Sequence, residues 1–217
     1  MRLLLAVALT AVGLAVAPVT SAVPGVCPPA CDSIPDSAWP VSSRLPLYPQ
    51  YRWPGLAGLA VSPSSPRFAY EKLCRVAPVR DDPREYAVSA RAEVDNGPGQ
   101  WRLQVQILHW RGPVSDSGPL VSAMLDTASW QLRLCPVPGV SPSLTTMDAE
   151  RVAAVISVAD DQVMHYYLLA DPSNGTIVEL ALSATLPVAV PWPTVSDVDV
   201  FDALGAPLCQ AYLGSCR

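Results

Sequence analysis

The sequence predicts an α+β fold: an antiparallel sheet of about five strands with helices packed on one face, disulfide-stapled, behind a proline-rich N-terminal arm. Three observations carry that expectation. In WRLQVQILHW (101–110), Trp101, Leu103, Val105 and Ile107 fall on one side of an extended chain and Arg102, Gln104 and Gln106 on the other. That is the period-two pattern of a strand buried on one face. Asp95-Asn96-Gly97-Pro98-Gly99 and Asp171-Pro172-Ser173-Asn174-Gly175 each separate two apolar runs. Proline presets one φ and Asn-Gly tolerates left-handed positions, so the flanking strands pair as hairpins. Finally, Val121, Met124, Leu125, Ala128, Leu132 and Cys135 form one stripe at helical spacing.

In chain order, Arg2 followed by the uncharged run Leu3–Val19 and the small residues Thr20-Ser21-Ala22 has the form of a cleavable signal peptide over residues 1–22. Gly13 and Pro18 interrupt the run, which argues against an anchor, and no other apolar stretch reaches the ~18 residues needed to span a bilayer. The residues before Cys27, Pro24-Gly25-Val26, do not suit lipid attachment. The expected product is a mature chain without a transmembrane segment, secreted or held in the periplasm or cell envelope.

Residues 23–66 form the arm. Prolines recur through it and fix φ while removing backbone donors, so extended and turn structure is expected. Trp39, Tyr48, Tyr51 and Trp53 are the candidate binding aromatics of this segment, either as a ligand for an aromatic groove or as clamps holding the arm to the sheet. Clamping is the better expectation, since a free ligand arm rarely carries so many large apolar groups. Gly55-Leu56-Ala57-Gly58-Leu59-Ala60 lacks the Gly-Lys-Ser/Thr ending of a phosphate loop and reads as a packed turn.

The domain proper is expected over 67–217. Phe68–Val76 suits two short helical turns with Phe68, Leu73 and Cys74 inward, and Asp81-Asp82-Pro83 breaks the chain. Tyr86, Val88, Ala90, Ala92 and Val94 alternate as a first strand, which pairs with the Trp101 strand. The long helix is expected to start at Gly118-Pro119, where proline loses no bond, and to close at Pro136. Three strands follow: Val152–Val158, Val163–Ala170 and Thr176–Ser183, the last with Val178, Leu180 and Leu182 inward and Glu179 outward. Phe201, Leu204, Leu208 and Tyr212 then have helical spacing, with Pro207 expected to kink or restart the helix and Gly214 to stop it.

Six cysteines, Cys27, Cys31, Cys74, Cys135, Cys209 and Cys216, all follow the signal, and an even count in an exported chain reads as disulfides. Sequence permits 15 pairings. A Cys74–Cys135 bridge is expected because Cys135 continues the buried helix stripe and Cys74 precedes the first strand of the same sheet. Cys27–Cys31 and Cys209–Cys216 are the complementary pairs, the second requiring the chain to turn back at Gly214. A metal site is not expected, because Cys27-x3-Cys31 has no second motif and His109 and His165 stand apart.

The formal net charge of −5, one unit more negative without Arg2, disfavours nucleic acid or anionic lipid as a partner through bulk electrostatics. No hydrolase elbow, metalloprotease helix, phosphate loop or cofactor motif is present. His109, on the inward face of the Trp101 strand, and His165, between Met164 and Tyr166, are candidate binding residues alongside the arm aromatics and the only histidines that could act as bases. Asp81-Asp82 and Asp160-Asp161 are paired carboxylates in turns, expected to be solvated. Asn174-Gly175-Thr176 matches a glycosylation sequon but carries little weight.

With strand, strand, helix, three strands and helix in order over Tyr86–Cys216, in an exported and cysteine-stapled setting, the chain resembles the extracellular sensor domains of mycobacterial PknH-type kinases and related small exported lipoproteins. The proline-rich first third departs from that pattern. As a whole the chain resembles uncharacterised exported proteins of mycobacteria and related actinobacteria, and its 13 arginines against a single lysine, Lys72, fit a GC-rich source. Neither resemblance supplies a functional residue. The function expected is that of an exported envelope binding or accessory protein, without catalysis or cofactor, for a small apolar ligand or an envelope protein. The alternative is a small extracytoplasmic hydrolase using His109 or His165.

Overall fold

The structure, a computed structural model, describes residues 33–212. The signal segment, Cys27, Cys31, Gly214 and Cys216 lie outside the described residues. Six antiparallel strands form one sheet: β1 (Val88–Val94), β2 (Arg102–His109), β3 (Val140–Met147), β4 (Arg151–Val158), β5 (Gln162–Asp171) and β6 (Thr176–Thr185). They lie side by side in the order β1-β2-β6-β5-β4-β3. Among the described residues four α-helices accompany them, alongside short 3-10 turns: α1 (Tyr48–Tyr51), α2 (Ala69–Leu73), α3 (Val114–Arg133) and α4 (Asp197–Ala211). The α+β class and the antiparallel sheet are as the sequence predicts, with one strand more.

That extra strand is β3. Its sequence, VSPSLTTM, is small and polar, and its residues alternate between half-buried and exposed. It is an edge strand, which is where a proline such as Pro142 is tolerated, and a register shift between Leu144 and Thr146 interrupts its pairing with β4. The opposite edge, β1, is met by a single residue of the arm: Val61 exchanges both backbone hydrogen bonds with Arg91, at 2.9 and 2.8 Å.

Helices cover both faces of the sheet, where the sequence suggested one. On the first face Leu103, Val105, Ile107, Tyr167, Val178, Leu180 and Leu182 pack against Phe201, Leu204 and Leu208 of α4 and against Trp39, Leu45, Leu47, Trp53 and Leu56 of the arm. On the second, Leu108, Val152, Ile156, Met164, Tyr166, Leu168 and Ile177 pack against Val121, Leu125, Ala128 and Leu132 of α3 and against Phe68, Tyr70 and Cys74. Coverage on both sides explains why β5 reads as a nearly continuous apolar run. It also turns Glu179 around: predicted to face solvent, it is fully buried on the second face.

Two helices differ from expectation. α3 begins at Val114, before Gly118-Pro119, with Pro119 inside it. Its first turns rest on the β5–β6 turn so closely that a Cβ on Gly118 would lie 2.8 Å from the Pro172 carbonyl oxygen. Gly175, at φ +67° in that turn, leaves equally little room beside Ser117 Oγ. α4 runs through Pro207 without a break and is capped by Ser196, whose Oγ accepts from the Asp199 N–H at 3.2 Å. In α2 the buried side chains are Tyr70 and Glu71, with Leu73 half-exposed.

Cys74 and Cys135 form the expected bridge, with Cα atoms 5.0 Å apart. It joins the residue that caps α2 to the residue two beyond the end of α3. Cys209 is also oxidised.

Candidate functional site

The arm aromatics are clamps. Trp39 and Trp53 are buried, with Tyr48 and Tyr51 half-buried against the same core. Tyr51 stacks on Trp53 at 4.8 Å and donates its hydroxyl to Gln100 Oε1 at 2.8 Å, while Trp53 Nε1 donates to the Pro46 carbonyl at 2.8 Å. These contacts leave the indole faces committed to the core.

The two histidines lie on the first face of the sheet, apart from each other. His109 has Nδ1 2.9 Å from Thr176 Oγ1, and its ring stacks on Tyr212 at 4.3 Å. His165 stacks face to face on Trp192 at 3.6 Å and meets Trp101 edge-on at 5.6 Å. Burial pushes both rings down to about 4, helped at His109 by the Arg111 charge and opposed at His165 by Asp197. Each is therefore neutral at pH 7. Among the described residues no serine hydroxyl or carboxylate hydrogen-bonds to either ring.

The second face holds what the sequence did not reveal: a layer of buried polar groups between the sheet and the segment 66–84. Glu179 Oε1 accepts the Ala69 N–H at 2.6 Å and Oε2 accepts Gln104 Nε2 at 3.1 Å. Gln106 Nε2 donates to the Pro66 carbonyl at 3.1 Å, and Arg91 Nη2 donates to the Arg67 carbonyl at 2.9 Å. Sheet side chains thus grip the main chain entering α2. Burial pushes the Glu179 carboxyl up to about 7, with the Ala69 N–H, the Arg91 charge and Gln104 limiting the rise. The neighbouring Tyr166 hydroxyl also opposes the rise.

Beyond α2 sits a buried ionic network. Arg84 is 4% exposed. Its Nη1 donates to Glu71 Oε1 and its Nη2 to Asp82 Oδ2, both at 2.5 Å, and its guanidinium lies 4.8 Å from the Phe68 ring centroid. Arg67 Nε donates to the other Glu71 oxygen at 2.7 Å. Asp82, predicted to be a solvated turn residue, is buried here, whereas Asp81 is exposed. Burial opposes its ionisation, but the Arg84 hydrogen bonds and charge outweigh that and hold the carboxyl below the ordinary aspartate range.

This network forms the base of a cleft of about 250 Å³ between α3 and the segment 68–84. Val76, Val79, Leu120 and Met124 supply apolar wall, and Phe68 and Tyr70 line it from below. Tyr70 Oη donates to Gln131 Oε1 at 2.5 Å. The Cys74–Cys135 bridge ties the end of α2 to the end of α3, which fixes the spacing of the two walls there.

The fold and cleft describe a disulfide-bonded α+β protein with a preformed cavity. Comparison of the chain with protein-family models, curated proteins and solved structures finds no match. No helix among the described residues is long and apolar enough to cross a membrane.

The link from Arg84 to Glu71 joins the short turn Pro83–Tyr86 to α2, a partnership that leaves no mark in local spacing. The nearest signal was Asp82-Pro83-Arg84, where aspartate before proline caps a short turn by accepting the Arg84 N–H.

Proposed function

We propose that the protein is an exported binding or accessory protein of the cell envelope that acts without catalysis, holding a small, mainly apolar ligand in the cleft between α3 and the segment 68–84. The observation that carries this reading is the cleft itself, with aliphatic walls, a base in which Arg84 and Arg67 balance Glu71 and Asp82, and a disulfide near its end. Its volume of about 250 Å³ lies just under the ~300–1,000 Å³ usual for ligand sites, so the ligand is small. Arg84 and Arg67 are already matched by Glu71 and Asp82, which favours a ligand uncharged at its inner end. Export is supported by the signal-like segment and by the oxidised cysteines. The likeness in element order to PknH-type sensor domains and exported actinobacterial proteins belongs to the same proposal.

The test is titration of the mature protein with the neutral fluorophore N-phenyl-1-naphthylamine. A saturable rise in emission is expected, and it should vanish in Ala123→Phe, which fills the cleft from its rim. An unchanged titration in that variant, or none in the wild type, refutes the proposed site. Native mass spectrometry of protein purified from its own envelope then identifies the retained molecule. N-terminal sequencing of the exported form should begin at Val23; a chain still starting at Met1 and released only by detergent would mean an anchor instead.

A further inference from the structure

On the other side of α2 from the cleft lies an open groove of about 480 Å³. Its floor is the uncovered end of the second sheet face, built from four adjacent strands. In register, Glu93 of β1 faces Gln104 of β2, and Arg102 of β2 faces Ser183 of β6, which in turn faces Met164 of β5. Ala181 and Ser183 are small, so the middle of the floor is hollow, and Arg67, Ala69 and Lys72 form the wall.

Charge is concentrated here. In a chain of net charge −5, the groove gathers four of the 14 basic side chains, Arg67, Lys72, Arg91 and Arg102, against one of the 19 acids, Glu93. Arg67 and Arg91 are fixed from behind by Glu71 and by Gln106 with the main chain. Lys72 is exposed, and Arg102, about half exposed, holds the partly exposed Glu93, which Arg91 also meets at 4.0 Å. A surface pair of that kind is weak and exchanges readily for a better-placed anion. Glu71 and the buried Glu179 stand behind the wall and floor and reduce the net positive charge, so the groove suits one oxyanion group and not a long polyanion.

We propose that this groove is a second binding site, for the phosphate or carboxylate group of a small molecule or lipid headgroup, with Lys72 and Arg102 as its mobile cations and the Ser183 hydroxyl as a neutral donor. It is independent of the cleft reading, because a neutral naphthylamine does not probe it.

The test is titration of the mature protein with inorganic phosphate at constant ionic strength, followed by amide NMR shifts. Saturable shifts should cluster at Lys72, Arg102 and Ser183, and Lys72→Gln and Arg102→Gln should each weaken the affinity about tenfold. Both residues are exposed, so the variants fold; unchanged urea midpoints verify it. Shifts that do not saturate, that centre elsewhere, or that both variants leave intact overturn the proposal. Where phosphate binds, co-sedimentation with phosphatidylglycerol vesicles, and not with phosphatidylcholine vesicles, assigns the anion to a headgroup. Absence of co-sedimentation assigns it to a free molecule.

Discussion

Replacing Glu179 with glutamine keeps its shape and removes its charge. Burial raises this carboxyl to about 7 from an ordinary 4.5. Between those values the folded chain holds a proton that the unfolded chain has released. Taken alone, then, the group makes stability fall as pH rises through that interval. At ~1.4 kcal/mol per pH unit the interval amounts to about 3 kcal/mol. His109 and His165 act in the opposite sense. Held at about 4 against an ordinary 6.5, they are neutral in the fold while the unfolded chain takes up protons, so their contribution grows as pH rises to 6.5. Asp82 and Asp148, both lowered, act below the ordinary aspartate value of 3.8 and leave this interval alone. Subtracting wild type from Glu179→Gln cancels the histidines. The oxygen of the introduced amide keeps the Ala69 N–H, and Gln104 turns its own amide to present oxygen to the new NH2 group. Urea unfolding at intervals from about pH 4.5 to about pH 7.5 should show the variant gaining steadily, to about 3 kcal/mol at the upper end. A gap between the two proteins that does not widen with pH would refute the account of Glu179.

Removing the bridge by Cys74→Ser with Cys135→Ser opens a loop of 61 residues and should cost about 4 kcal/mol on the chain-entropy relation, read from urea midpoints under oxidising conditions. Arg84→Met leaves Asp82 without its cation in the interior and Glu71 with Arg67 alone, and should cost ~3–5 kcal/mol, with a loss near zero showing that water reaches the site. Gly118→Ala sets a methyl group 2.8 Å from the Pro172 oxygen and should destabilise by ~1–3 kcal/mol through displacement of the β5–β6 turn, visible as shifted Ser173 and Asn174 amide resonances.

Much of the sheet was legible because its strands advertise themselves. Trp101, Leu103, Val105 and Ile107 alternate with polar residues, and the Asp-Pro-Ser-Asn-Gly turn sits between β5 and β6 as read. β3 was hidden because an edge strand with little burial needs no apolar face, and Val-Ser-Pro-Ser resembles a loop. The start of α3 was hidden because Pro113 supplies no side-chain cap, which left Gly118-Pro119 as the stronger local signal. The polar layer was misread for a different reason. Alternation distinguishes one face from the other, and Glu179, Gln104 and Gln106 resemble solvent-facing residues until a second covering layer is placed over them. What identifies that layer is long-range: Glu179 bonds a backbone amide 110 residues away. The Cys74–Cys135 pair could be read because helix periodicity and chain order both pointed Cys135 at the same core.

The margins of the sheet bear on how the protein behaves when crowded. An open strand edge is a template on which another chain can lay itself, and a row of such additions makes a fibre. Here neither margin offers a clean run. Val61 occupies the middle of β1's outer side, and β3 carries Pro142 followed by a slip in register at Leu144. A strand from a second molecule would find its ladder interrupted after a few residues on either side. The arm that clamps the sheet and the unpromising sequence of β3 therefore have a shared effect, which is to leave a second copy no uninterrupted edge to extend.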